Sequence, residues 1–418
     1  MAPPPITLFD AQRQYAPLLD ELTAAARRVI ASGRYVLGPE VEAFETEIGA
    51  WLGAEHAVGV SSGSDALVLA LHAAGVEPGD DVVVPAYSFI ATSEAVRRVG
   101  ARPVFADVRD DTFDLDAERV AAALTPRTRA VIGVHLFGQP CDAWALRALC
   151  DDSGIVFIED AAQAFGAGRL STSASDDADD ATSSVHRTPD PHEAGASAPN
   201  LVVGASTPNL VVGASAPGHA VGCIGHLACF SFFPAKVFGG FGDGGLVTTA
   251  DPGLASRVKS LRQHGLEGGD AQALGGNYRL DALQAALLRV TLPHVRSWIA
   301  RRQAVAAAYD EALATLPGVR VPARRVGTSH VFAAYALRVA AGARDELRRK
   351  LRAAGIESAV YYPKTLPAMR ANADLPPAPA PIADALTREL VALPVHPCLE
   401  ADEISRVVTV VRGSLRKL

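Results

Sequence analysis

The run HAVGVSSGSDALVLALHAAGVEPGDDVVVPAYS, His56 to Ser88, decides the fold. It opens on a short apolar, β-branched stretch that reads as a buried strand and stops at Ser61–Ser62. Gly63 permits a tight turn, and SDALVLALHAAG then has the spacing and the Ala/Leu content of a helix. DDVVVPAYS is a second buried strand. The same alternation continues through ATSEAVRRVG, RPVFADV, RAVIGVHLFG, DAWALRALCDDSG and GIVFIEDAA. Strands that are apolar throughout, separated by helices, predict a mainly parallel α/β sheet covered on both faces, a three-layer unit.

Two further strands are predicted at HLACFSF and GGLVTTA. RLDALQAALLRVTLPHVRSWIARRQAVAAAYDEALATL reads as a long helix broken near Pro293, because proline removes an intrahelical donor and its ring clashes with the preceding turn. YALRV, RDELRRKLRAAGI and ADEISRVVTVVRGSL predict a smaller α+β unit. The expected division is residues 1–290 as the larger unit with an N-terminal segment, and 291–418 as the smaller.

One segment breaks this texture. From Gly168 to about Gly222 the chain turns rich in Ser, Asp, Ala, Thr and Pro, and one phrase, GASAPNLVV, comes three times with its last copy altered. Such a segment cannot offset its ordering entropy by burial, so residues 168–222 are expected to form a flexible insertion. Its ends must lie close together, because strands of one sheet flank it. The two PNLVV copies, at Pro199 and Pro208, suit a short hairpin.

Composition narrows the classes. Of 418 residues 49% are apolar and 20% charged, the balance of a globular chain. Thirty-nine basic residues against 46 acidic give a net charge of −7, which argues against a nucleic-acid partner. No apolar stretch is long enough to span a bilayer. MAPPPITLFD has neither the charged start nor the apolar run of a secretion signal. The five cysteines are scattered and form no CxxC pair, so neither a disulfide framework nor a metal site is expected, and a cytoplasmic setting fits.

In a sheet of this type ligands bind beyond the carboxyl ends of the strands. Four segments carry chemistry there. In VSSGSDALVLAL, the N–H groups of Ser64 and Asp65 and the helix dipole suit a phosphate, although either residue can equally be a plain helix cap. In VFIEDAAQAFGA, Asp160 ends an apolar strand, where a carboxylate needs a cation or a strong donor such as a protonated pyridine nitrogen; capping the next helix is the alternative. Gln163 follows one turn later. In CFSFFPAKVFGGFGDGGLVTT, Lys236 lies among Phe232, Phe233, Val237 and Phe238, a setting that lowers an amine's pKa and favours Schiff-base chemistry. Ser231 offers a hydroxyl to a phosphate. In YSFIATSEA, Phe89 can stack on a flat ring or simply pack in the core. Together these are the parts a pyridoxal phosphate site requires.

The ordered motifs GRYVLGPEVEAFE, SSGSDAL, PAYSFIATSEAV, PVFADV, VHLFGQPCD, IEDAAQAFGA, GDGGLVTT, RQHG, NYRLDALQAALL, GIESAVYYP and LPVHP span nearly the whole chain. On them the sequence resembles the DegT/DnrJ/EryC1/StrS sugar aminotransferases, fold-type I pyridoxal phosphate enzymes. The resemblance implies that Lys236 forms the Schiff base with pyridoxal 5'-phosphate and shuttles the proton. It implies that Asp160 pairs with the ring nitrogen, Gln163 lies near the phenolate oxygen and Phe89 stacks on the ring. Ser64, Asp65 and Ser231 match phosphate ligands. Asn277 matches a phosphate contact that reaches across from a second subunit, implying a homodimer with shared active sites. Arg279 and Tyr362 are expected near the substrate. The implied reaction moves an amino group from a donor, glutamate by analogy, to a keto-sugar nucleotide.

The sequence departs from the family at YYPKTLPAM, where Tyr361 stands in the place of a histidine and the closing histidine is missing, and at Val237, where asparagine is common. The loop after Phe232 resembles members acting on 3-ketosugars more than on 4-ketosugars. An aminocyclitol ketone as acceptor, or a non-catalytic sensor, are the other readings. Lys236 argues against the dehydratases of this fold, which carry histidine there.

Overall fold

The structure, a computed structural model, describes residues 4–170 and 219–415. The tandem phrase and its PNLVV copies lie almost entirely outside the described residues. All seven predicted strands of the larger unit are present: β1 (His56–Val60), β2 (Asp81–Pro85), β3 (Arg102–Ala106), β4 (Thr128–Val134), β5 (Val156–Asp160), β6 (Leu227–Ser231) and β7 (Gly245–Thr249). They form one sheet in the order β1-β7-β6-β5-β4-β2-β3. Every pair is parallel except those made by β7, which runs antiparallel to both β6 and β1.

Side chains along a strand alternate between faces, and the core divides accordingly. Val131 and Phe157 pack on one face, with the helices Pro39–Leu52, Ala143–Ser153 and Ala282–Thr291. Ile132 and Ile158 pack on the other, with Gly63–Ala73, Ala91–Arg98 and Pro252–Leu261. The result is the expected three-layer α/β unit. Among the described residues no helix is long and apolar enough to cross a membrane.

The break at Pro293 is real. The helix Ala282–Thr291 passes through a 3-10 turn, Leu292–His294, into Val295–Leu313. Beyond a short exposed hairpin, β8 (Leu266–Glu267) with β9 (Asp270–Ala271), the remaining strands are β10 (Val319–Arg320), β11 (Tyr335–Val339) and β12 (Leu390–Leu393). They make an antiparallel sheet with its own core, packed by the helices Ala343–Ala353 and Ala401–Leu415. Ile6, from the start of the chain, pairs with Ile356 and is buried in that core.

The ends of the atypical segment meet as anticipated. Gly168 and Ala220 form an antiparallel bridge, and the Arg169 N–H donates to the His219 carbonyl at 2.9 Å. Arg169 also bridges Thr328, so this stalk lies beside the loop between β10 and β11.

Candidate active site

The expected residues gather along one edge of the sheet, beyond the carboxyl ends of β1, β2, β4, β5 and β6. At β1 the helix Gly63–Ala73 begins, and its cap is Ser62, whose Oγ accepts the Asp65 N–H at 3.0 Å. This corrects the expectation that Ser64 or Asp65 caps it. It also shifts the open donors: Gly63 and Ser64 keep N–H groups without intrahelical acceptors, whereas that of Asp65 is taken. The Asp65 carboxylate accepts from the Ser61 and Ser62 hydroxyls at 2.7 and 3.0 Å and pairs with Arg98 at 3.0 Å. Asp65 therefore organises the turn through its side chain. Ser231, at the end of β6, closes the other side. A Cβ on Gly63 would lie 2.6 Å from Ser231 Cβ, and one on Gly245 2.4 Å from the Ser62 carbonyl oxygen, so only glycines allow these chains to pass. A helix N-terminus, two open N–H groups and a serine hydroxyl are donors that could hold a phosphate dianion.

Two acids end β5 and, by alternation, point to opposite faces. Asp160 turns toward the helix Ala91–Arg98 and accepts from Thr92 Oγ1 at 3.0 Å and from the Ala162 N–H at 3.3 Å. Burial raises its pKa, and the Thr92 hydrogen bond and the Lys236 charge oppose the rise. Glu159 turns the other way and is fully buried. It accepts from His135 Nε2 and from the N–H groups of Gly222, Ile224 and Gly225. His135 Nδ1 accepts the Cys141 N–H, so its proton resides on Nε2 and faces Glu159.

Lys236 follows β6 in a turn closed by its own N–H to the Phe233 carbonyl at 2.8 Å. Of the four apolar residues that flank it in sequence, Phe232, Val237 and Phe238 are buried and Phe233 is 53% exposed. Burial lowers the Lys236 pKa, with Asp160 pulling the other way. The amine and the carboxylate thus feel each other across the site, and neither is an ordinary surface charge.

Gln163 is oriented from both ends. Its Oε1 accepts the Phe137 N–H at 2.9 Å, and its Nε2 donates to Tyr362 Oη at 3.0 Å. Phe137 sits in the left-handed region, φ 59°, beside Gly138 at φ 99°. The second amide N–H of Gln163 is left for an oxygen in the site. Tyr362 is held from below by its N–H to Tyr87 Oη at 2.8 Å, and Tyr87 donates to the Tyr361 carbonyl. Phe89 is 53% exposed, which overturns the core-packing alternative; its ring lies 5.9 Å from that of Tyr362.

Asn277 and Arg279 lie on a segment running past the end of β1, where Arg279 bridges Val60. Arg279 Nε donates to Asn277 Oδ1 at 2.8 Å, and Asn277 is exposed. Thr92, Ser88, Glu159, His135 and Phe137 were not singled out from the sequence. For Glu159 a signal existed: two adjacent acids in an apolar strand must face opposite layers.

The helix N-terminus with Ser231, the buried Asp160 carboxylate, the free Gln163 amide N–H, the exposed Phe89 ring and the Lys236 amine could hold pyridoxal phosphate. Fold and donor set together define a fold-type I pyridoxal phosphate transaminase. The sequence profile of the DegT/DnrJ/EryC1/StrS aminotransferase family matches residues 18–188 and 210–412, and the chain belongs to this family. The interval between the two matches falls inside the atypical segment. The chain is similar to the dTDP-3-amino-3,4,6-trideoxy-alpha-D-glucose transaminase of Streptomyces venezuelae, 39% identical over 98% of this chain and 96% of that one. It is also similar to the UDP-N-acetyl-3-dehydro-alpha-D-glucosamine 3-aminotransferase of Acidithiobacillus ferrooxidans, 36% identical over 98% of each. The crystal structure of DesV from S. venezuelae in complex with a ketimine intermediate superposes with a TM-score of 0.85, at 38% identity over 100% of both chains.

Proposed function

We propose that this transaminase moves an amino group from glutamate to C3 of a 3-keto-sugar nucleotide, using a Schiff base between Lys236 and pyridoxal phosphate. The observation that carries the reading is the facing pair of Lys236, lowered by burial, and Asp160, a buried carboxylate at the strand end. When bound, pyridoxal phosphate supplies an aldehyde that takes up the amine covalently and a ring that accepts the electrons released as the Cα proton leaves. Gly63, Ser64 and Ser231 hold its phosphate, and Asp65 fixes their turn. Asp160 holds a proton on the ring nitrogen. Gln163 donates its second N–H to the phenolate oxygen, and Phe89 covers one face. The Lys236 Nζ, once free, takes the donor's Cα proton and returns it one atom away; burial favours its neutral, proton-accepting form.

The 3-keto preference is supported by the names of the two relatives above, both of which act at C3. Arg279 and Tyr362 are assigned to the substrate side. In a homodimer Asn277 would reach the partner's phosphate. The exposed apolar Tyr35 and Val36 pair along Asp281–Ala282, beside Leu283, and offer a face for that contact.

Three measurements test this. Glutamate added to the purified holoenzyme should change the cofactor's absorption and release 2-oxoglutarate, and Lys236→Ala should abolish turnover. A panel of UDP- and dTDP-linked 3-keto and 4-keto sugars should give amine product at C3 only. Product solely from 4-keto sugars, or from none, overturns the assignment.

A further inference from the structure

Asp160 is held from behind by a short file of hydroxyls. Thr92 and Ser88 are both buried, at 0% and 1% exposure, and their oxygens lie 2.9 Å apart. Thr92 has one hydroxyl proton, and the carboxylate at 3.0 Å can only accept it. The Thr92 proton therefore goes to Asp160 Oδ2, and Ser88 donates to Thr92 Oγ1. The file has one direction, Ser88 to Thr92 to Asp160, and each donor polarises the next. Thr92 occupies one lone pair of Oδ2 and the Ala162 N–H one of Oδ1. The remaining acceptor sites of the carboxylate are open to a ligand.

We propose that Thr92, backed by Ser88, is the positioning residue that keeps Asp160 ionised and aims it at the ring nitrogen. This rests on the reading that Asp160 meets that nitrogen. The physical need is plain: a carboxylate this deep is disfavoured as an anion, and a hydrogen bond given to its charged form restores it. The other groups facing Asp160 are Lys236, His135, Tyr362 and Cys229. Lys236 changes its bonding during turnover, and the His135 proton already faces Glu159. Tyr362 and Cys229 are neutral groups whose burial raises their pKa further. Thr92 is thus the side-chain donor that stays in place through the reaction, beside the longer Ala162 N–H bond to Oδ1. It also sits at the first turn of the helix Ala91–Arg98, so the cofactor's nitrogen partner is tied to the loop that carries Phe89.

The test uses holoenzyme reconstituted with pyridoxal phosphate labelled with 15N in the ring. Its nitrogen chemical shift is followed against pH beside kcat and the donor KM. Thr92→Val keeps the volume and removes the hydroxyl. It should lower the pH at which the ring nitrogen loses its proton by about one unit and kcat about tenfold, the scale of one hydrogen bond to a charged group, while KM changes less than about threefold. Thr92→Ser should restore wild-type behaviour. An unshifted titration in Thr92→Val, or a Thr92→Ser variant as impaired as the valine, overturns the proposal. Should Thr92→Val fail to fold, Ser88→Ala decides: it should shift the titration in the same direction by less, and no shift overturns the file. Asp160→Asn separates the two levels, because a ring nitrogen indifferent to that change refutes the role of Asp160 itself.

Discussion

Replacing Glu159 tests the reasoning about the sheet edge most sharply. Its carboxylate gathers four donors: Gly222 N at 3.1 Å, Ile224 N at 2.9 Å, Gly225 N at 2.7 Å and His135 Nε2 at 2.9 Å. Three of them belong to the stretch that returns the chain to the sheet and leads into β6, the strand that delivers Ser231 and Lys236. Glu159→Ala strands all four. At about 1 kcal/mol for each donor left without a partner, the lower end for buried groups, the loss is about 4 kcal/mol. Glu159→Gln keeps one oxygen, enough for Ile224 and Gly225, and presents an amide N–H to donors on the other side, so about half the loss should remain. Urea unfolding followed by circular dichroism, with the slope unchanged, reads both. The order wild type, Gln, Ala is required. A Glu159→Ala protein within about 1 kcal/mol of wild type would refute the view that this carboxylate anchors the return of the chain.

Gly63→Ala pushes a methyl to 2.6 Å from Ser231 Cβ and should weaken cofactor retention at least about tenfold, measured by fluorescence on dialysis, and lower the unfolding free energy by about 1–3 kcal/mol. Asp114 is buried against Arg325, and burial raises its pKa from the ordinary 3.8 to about 6. The folded state therefore binds this proton more tightly than the unfolded one, so its contribution is present at low pH and is lost as pH rises from about 4 to 6. The stability difference between wild type and Asp114→Asn should change by about 3 kcal/mol across that window, and a flat difference contradicts the assignment. Because Gly168 and Ala220 already pair, replacing residues 172–218 by a short turn should leave the fold and cofactor binding intact, checked by circular dichroism and by the cofactor's absorption.

Local pattern made much of this molecule legible. Seven apolar runs became seven strands, and the break near Pro293 and the closeness of the ends of the atypical segment followed from chain chemistry alone. Lys236 and Asp160 were visible because a charged group at the end of an apolar run is conspicuous. Phe89, Gln163 and Ser231 were visible because loops beyond parallel strands converge. Partnerships were not visible. Thr92 reaches Asp160 across 68 residues and Tyr362 reaches Gln163 across 199. No period in the sequence encodes which strands become neighbours. The antiparallel β7 slipped between β1 and β6, the shift of the helix cap to Ser62, and the opposite fates of Glu159 and Asp160 depend on that order. Sequence periodicity determines which side of an element is buried. What that side meets is set by the long-range packing of all the elements at once, and the chemistry of this site lies in those meetings.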